Sequence, residues 1–188
     1  MVSTVLAVSG SLRAGSANTG LVRMAARLAP DGLAVTVRDG IDLLPHYNAD
    51  LDTPDTVPDV CTAWRDDVRA ADALFLAVPE YNYGPSGVLK NAIDWLTRPV
   101  GEHAIRGKVI AIVTSAGRGG GSRVQPPLVE ILGLLGNTMV TEPAIMVAKG
   151  NERISSDGTT TDPEIETLVR ARLDAIVAAL AERSDGVS

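Results

Sequence analysis

Four runs of apolar, β-forming residues, each leading into a segment of helical periodicity, restrict this chain more than any other feature. Thr4-Val5-Leu6-Ala7-Val8, Leu33-Ala34-Val35-Thr36-Val37, Ala73-Leu74-Phe75-Leu76-Ala77-Val78 and Val109-Ile110-Ala111-Ile112-Val113-Thr114 read as strands. The stretch 139–147 holds a fifth. Residues 17–28 place Leu21, Val22, Ala25 and Leu28 on one helical face. Helices are also expected over 57–70, with Pro58 near the start, over 87–97, stopped by Pro99, and over 122–135, ended by Gly136. A last helix is signalled by Asp162 as N-cap, Pro163 at the first helical position, and Glu164 and Glu166 near the positive helix end. Ile165, Leu168, Val169, Ile176, Val177 and Leu180 then fall on one stripe.

Strands alternating with helices imply parallel βαβ units with right-handed crossovers. Strands that are apolar throughout suit a sheet covered on both faces. Five strands and five helices in 188 residues give an α/β three-layer sandwich with strand order 2-1-3-4-5, the flavodoxin-like arrangement. One domain is expected over residues 1–183, with 184–188 a frayed tail and the polar stretch 149–161 a connector.

Composition narrows the function. Lys and Arg number 17 against 23 Asp and Glu, a net charge of −6, which disfavours nucleic acid as the main partner because phosphate backbones need clustered cations. An anion must then be held by local donors, not by the field of the whole chain. No apolar run is long enough for a membrane helix, and the apolar residues 2–8 lack the basic start of a secretory signal, so a cytoplasmic location is expected. The single cysteine, Cys61, excludes an internal disulfide and a cysteine-based zinc cluster, and reads as a packed thiol. His46 and His103 lie far apart in loop-like stretches and read as surface residues; no metal site is expected.

In a doubly wound sheet, ligands bind beyond the carboxyl ends of the strands at the switch point, so the loops after strands one, three and four should meet. The first, Ser9-Gly10-Ser11-Leu12-Arg13-Ala14-Gly15-Ser16-Ala17-Asn18, offers hydroxyls, backbone N–H groups and a guanidinium at a helix N-terminus, a suitable cradle for a phosphate. Its glycine spacing is like that of a nucleotide-triphosphate loop, but Ser16 stands where the lysine would be, which weakens an ATPase reading. The Gly-x-Gly-x-x-Gly dinucleotide pattern is absent as well, so one terminal phosphate monoester remains. The second loop, Pro79-Glu80-Tyr81-Asn82-Tyr83-Gly84-Pro85-Ser86-Gly87, carries two tyrosines that could pack on a flat ring. The third, Ser115-Ala116-Gly117-Arg118-Gly119-Gly120-Gly121-Ser122-Arg123, has four glycines that let backbone approach a ligand closely. Each loop alone also reads as an ordinary turn or surface loop.

Gly10-Ser11-Leu12-Arg13-Ala14-Gly15-Ser16-Ala17-Asn18 and Pro79-Glu80-Tyr81-Asn82, followed by Leu89-Lys90-Asn91-Ala92-Ile93-Asp94-Trp95-Leu96, resemble the NADPH-dependent FMN reductase family, which includes quinone, chromate and azo-dye reductases. The resemblance covers roughly residues 4–180. It implies that Ser11, Arg13, Ser16, Ala17 and Asn18 contact the FMN phosphate. It implies further that Pro79, Glu80, Tyr81, Asn82 and Tyr83 line the isoalloxazine ring, with Ser115, Ala116 and Gly117 along its other edge. NADPH, or NADH, is the implied co-substrate and a small electron acceptor the implied second substrate. A homodimer or homotetramer is implied too, with the helix carrying Lys90 to Trp95 similar to the family's interface helix; taken alone, Trp95 reads as core packing. One departure stands out. The family usually has proline directly before the glycine that opens this helix, whereas here Ser86 holds that place and proline is at Pro85.

Hydride transfer requires a cofactor, since no side chain performs it. No catalytic acid or base is apparent. The resulting expectation is an FMN-dependent NAD(P)H oxidoreductase of ping-pong type. The alternative is a flavodoxin-type electron carrier with no hydride chemistry of its own. Such carriers commonly sandwich the flavin between aromatic residues, while aromatics make up 3% of this chain and none lies in the third loop. A chain that kept the fold and lost the flavin is a third reading, since fold alone does not fix function.

Overall fold

Alternate residues of the central strands face opposite layers, and the two layers of helices divide accordingly. The computed structural model describes residues 2–185. Strands β1 (Ser3–Ser9), β2 (Leu33–Arg38), β3 (Ala73–Val78) and β6 (Val109–Ala116) run parallel. With β7 (Thr138–Val140) they give the order β2-β1-β3-β6-β7, as expected for a flavodoxin-like sheet. Val5, Ala7, Phe75, Ala77, Ala111 and Val113 pack against α1 (Ala17–Arg27) and α5 (Pro163–Asp185). The intervening Leu6, Val8, Leu74, Leu76, Ile110 and Ile112 pack against α2 (Asp59–Ala70), α3 (Gly87–Leu96) and α4 (Gln125–Leu134). Trp95 belongs to this second layer: it is fully buried, donates from Nε1 to the Pro45 carbonyl at 2.8 Å, and meets Tyr47 edge-on at 5.1 Å. Among the described residues no helix is long and apolar enough to cross a membrane.

Several boundaries differ from expectation for local reasons. The fifth strand is split. β7 pairs with the first three residues of β6, β8 (Met146–Ala148) pairs with its last three, and residues 141–144 leave the ladder between them, which resumes where the Thr114 N–H donates to the Ile145 carbonyl at 3.0 Å. Pro143 lacks the N–H that a continuous ladder needs. Helix α4 starts at Gln125 rather than at 122, because Pro126 and Pro127 have no N–H to bond the carbonyls of Ser122 and Arg123, so the Leu128 N–H to Val124 carbonyl bond at 3.4 Å is the first of its type. The second loop holds a small hairpin, β4 (Glu80–Tyr81) against β5 (Gly84–Pro85), turned by Asn82 and Tyr83 at φ 51° and 67°. That hairpin ends on Ser86, whose hydroxyl donates to the Gly10 carbonyl at 2.6 Å and accepts from the Leu89 N–H. The departure from the family pattern therefore supplies both a helix cap and a tie to the first loop, which a proline could not.

The stretch 149–161 is not a connector. It packs along α1. Ile154 is buried, Arg23 donates to the Ser156 carbonyl at 2.8 Å, and Arg27 donates to the Gly158 carbonyl at 3.0 Å. Asp162 caps α5 through the Glu164 N–H at 3.0 Å, and its bond from Arg153, together with that cap, holds its carboxyl below the usual carboxylate range. Helix α5 continues to Asp185, beyond the expected domain end; residues 186–188 of the expected tail lie outside the described residues.

Gly20 is where that stretch approaches α1. A Cβ there would stand 2.2 Å from the Ser155 carbonyl oxygen and 2.6 Å from Ile154 Cγ2. Alanine in a helix interior ordinarily gains about 1 kcal/mol over glycine. Here overpacking against backbone reverses the sign, typically by about 1–3 kcal/mol. Gly20→Ala is expected to lower the melting temperature by roughly 2–12 °C, read by circular dichroism. An unchanged or higher value would show that the 154–155 segment does not seat on the helix.

Candidate functional site

The site is assembled at the carboxyl ends of β1, β3 and β6, and each loop is held by bonds to another. In the first loop, the Gly10 N–H donates to the Ala77 carbonyl at 2.8 Å, and a Cβ on Gly10 would lie 2.9 Å from the Pro79 ring. Ser9 Oγ accepts from the Ser11 N–H at 3.2 Å, Ser11 Oγ accepts from the Arg13 N–H at 3.4 Å, and the Ser16 N–H donates to the Arg13 carbonyl at 3.1 Å. Ser16 then caps α1 by accepting from the Asn18 N–H at 3.2 Å. The loop thus winds tightly around the first turn of α1, with the helix N–H groups and the Arg13 guanidinium at one end of a cleft.

Asn18 fastens this end to the third loop. It is buried; its Nδ2 donates to the Ser115 carbonyl at 2.9 Å and its Oδ1 accepts from the Ser115 N–H at 3.0 Å. The side chain therefore bonds to Ser115 as a neighbouring strand would. Glu80 fastens the second loop to the third. Its Oε2 accepts from the Arg123 and Val124 N–H groups at 3.0 and 3.2 Å, giving α4 the carboxylate cap that its own N-terminal residues lack.

An open cleft of about 420 Å³ results, within the usual range for small-molecule sites, about 300–1,000 Å³. Ser11, Arg13, Ser16 and Asn18 line it from the first loop, Pro79, Glu80 and Tyr81 from the second, and Ser115, Ala116 and Gly117 from the third. The other expected residues lie off its walls. Ala17 turns its side chain into the core and offers only its N–H. Asn82 and Tyr83 form the exposed hairpin tip, where Arg123 lies over the Tyr83 ring at 4.6 Å.

The sequence reading missed a fourth wall, made by Lys149, Gly150, Asn151 and Glu152. The Lys149 N–H donates to the carbonyls of Ala116 and Gly117 at 3.0 and 2.9 Å, and a Cβ on Gly150 would lie 1.9 Å from Ser115 Oγ. Asn151 Oδ1 accepts from the Ala17 N–H at 3.2 Å and also from Arg13 Nη2. The available signal was topological: residues after a last strand parallel to β6 emerge at the same edge as the other loops.

The remaining candidates stand apart. Cys61 is buried on α2, where desolvation pushes its thiol up, partly offset by Arg65, as expected of an inert packed cysteine. His46 is exposed, whereas His103 is half-buried before β6, at the amino end of the sheet.

The donor chemistry fits a phosphate monoester at the α1 end: two serine hydroxyls, one guanidinium and helix N–H groups, two of them (Ala17 and Asn18) already bonded to side-chain oxygens. Toward Gly117 the cleft is open, since a Cβ there would meet nothing within 4 Å. The family model for NADPH-dependent FMN reductases matches residues 3–152. An NAD(P)H-dependent FMN reductase of Pseudomonas aeruginosa is 39% identical over 173 residues, 92% of each chain. A quinone reductase of Escherichia coli is 37% identical over 143 residues, 76% of each chain. Among solved structures, FerB, a flavoenzyme NAD(P)H:(acceptor) oxidoreductase from Paracoccus denitrificans, is similar with a TM-score of 0.86 at 32% identity, covering 96% of this chain and 98% of its own. With its fold, its strand-end loops and this extent of similarity, the chain belongs to the NADPH-dependent FMN reductase family.

Proposed function

We propose that this oxidoreductase holds FMN in the cleft, takes hydride from NADPH or NADH, and reduces quinones, flavins or similar small acceptors in ping-pong order. The observation that carries the reading is the meeting, in one cleft, of a monoester-type donor set with an open, polar-edged surface beyond it. Relatives named as FMN and quinone reductases support the choice of donor and acceptor.

Bound FMN would supply the hydride-accepting chemistry that no side chain here can provide. Ser11, Arg13, Ser16 and the α1 N-terminus would neutralise and orient its phosphate. Pro79, Glu80 and Tyr81, with Ser115, Ala116 and Gly117, line the part of the cleft that would hold the ring. Glu80 acts mainly through position: spent on capping α4, its carboxylate keeps the second and third loops at a fixed separation. Tyr81 is 58% exposed at the rim, so it shields a planar partner from one side only and leaves access for a second substrate. The same reading takes the protein as a cytoplasmic homodimer or homotetramer, checked by light scattering on a sizing column.

The test is an FMN titration of purified protein followed by anaerobic addition of NADPH, and of NADH in parallel. Bleaching of the flavin absorbance by the nicotinamide alone, and parallel double-reciprocal lines with a quinone, are expected. Protein that cannot be loaded with FMN would overturn the proposal. Flavin that bleaches only when a partner reductase is added would replace it with the electron-carrier reading.

A further inference from the structure

Asn151 occupies a position with a chemical meaning. Its Oδ1 takes the Ala17 N–H, one of the N–H groups of the first helical turn that no helix carbonyl serves, and the guanidinium of Arg13. An anionic oxygen at the α1 N-terminus would use the same pair of donors. A neutral carboxamide oxygen thus sits where one oxygen of a phosphate belongs.

The support beneath Asn151 does not depend on this bond. Lys149 is held to the carbonyls of Ala116 and Gly117, Gly150 is wedged against Ser115 and Ala17, and the Ile154 N–H donates to the Gly150 carbonyl at 2.7 Å. Only the side-chain torsions of Asn151 must change for its oxygen to leave. A second cleft of about 450 Å³ also borders Asn151, lined by Gly15, Ser156, Thr161 and their neighbours, with room and hydroxyls to receive a carboxamide. Asn151 is exposed, so no core packing opposes the swing.

We propose that Asn151 is an internal phosphate surrogate: it keeps Arg13 and the α1 N-terminus in their binding arrangement in the cofactor-free chain and is exchanged for a phosphate oxygen when FMN enters. This rests on the FMN reading and adds a competition that sets cofactor affinity. An uncharged amide suits the part, because it orders the donors yet yields to a dianion.

The test compares FMN and riboflavin binding, by quenching of flavin fluorescence, to deflavinated wild-type protein, Asn151→Ala and Asn151→Asp. Removing the competitor is expected to tighten FMN binding about 3–10-fold, on the scale of one ordinary net hydrogen bond, and to lower the melting temperature of the cofactor-free chain. The isosteric carboxylate should instead hold Arg13 permanently and weaken FMN by about 10-fold or more. Riboflavin, which lacks the phosphate, should respond to either change by less than about twofold. Weaker or unchanged FMN binding in Asn151→Ala would overturn the surrogate role, as would equal effects on riboflavin. Wild-type protein that binds riboflavin and FMN alike, or neither, would overturn the FMN reading itself.

Discussion

Arg172→Met is expected to lose about 3–5 kcal/mol of stability, the range seen when one partner of a buried charged interaction is removed. Arg172 is fully buried on α5, and its guanidinium donates to carbonyls, not to a carboxylate. Nη1 reaches Ile112 and Val140 at 3.1 and 2.7 Å, Nη2 reaches Thr141 at 2.8 Å and also Pro143, and Nε reaches Pro143 at 3.1 Å. Val140, Thr141 and Pro143 lie where β7 ends and the chain leaves the ladder before β8, and Ile112 lies on β6 between the residues paired with β7 and those paired with β8. Methionine fills a similar volume and donates nothing, and the four stranded carbonyls, at about 1 kcal/mol each, make up the expected loss. Burial lowers the guanidinium to about 10, with Glu142 opposing, so it stays charged at neutral pH. Lysine would keep the charge without the planar fork and should recover only part of the loss. Urea unfolding checks this: the midpoint should fall with the slope unchanged. A loss below about 1 kcal/mol would show that the bowed segment is held by other means.

The second large effect is expected at Asn18. Asn18→Asp preserves shape and the bond accepted from the Ser115 N–H, but leaves a carboxylate facing the Ser115 carbonyl at the 2.9 Å where an N–H now donates. The site is buried and adjoins the proposed phosphate position, so the new charge is both poorly solvated and repelled by the cofactor. At pH 8 a stability loss of about 2–3 kcal/mol and FMN affinity weaker by about 30–100-fold are expected. The sign of the pH response follows from burial. Desolvation and the facing carbonyl raise the folded-state pKa of the new carboxyl above its unfolded value, so protonation favours the fold. Once protonated, that carboxyl donates to the Ser115 carbonyl as the asparagine amide does, so both losses should shrink as pH falls toward about 5.5. Fluorescence titration and urea unfolding at the two pH values measure this, and wild-type behaviour at pH 8 would disprove the tie between the loops.

Most of the fold was legible because the central strands are buried on both faces and read as unbroken apolar runs: Leu74 and Phe75 face different layers, yet both are apolar. Loop positions were legible from topology, and ten of the expected residues line the cleft. Their roles were less legible, because type and spacing do not say which way a side chain turns. Asn18 and Glu80 read as cofactor contacts, and both also bind backbone of the third loop. The wall from Lys149 to Glu152 escaped notice because its polarity is that of any surface turn; what places it is backbone bonding to Ala116 and Gly117, which leaves no mark in composition. Arg172 escaped for the opposite reason. A cation amid an amphipathic helix is normally solvated, and only the split strand beneath it creates a demand for donors.

The break between β7 and β8 also bears on how the molecule avoids its own kind. An outermost strand running without interruption from 138 to 148 would display a long row of open backbone groups, a template on which another chain could grow a sheet. Two three-residue pieces offset by a bulging, proline-bearing segment make a poor template, and the carbonyls in the gap are already engaged from inside by α5. The interruption thus works as protection against aggregation at that margin of the sheet.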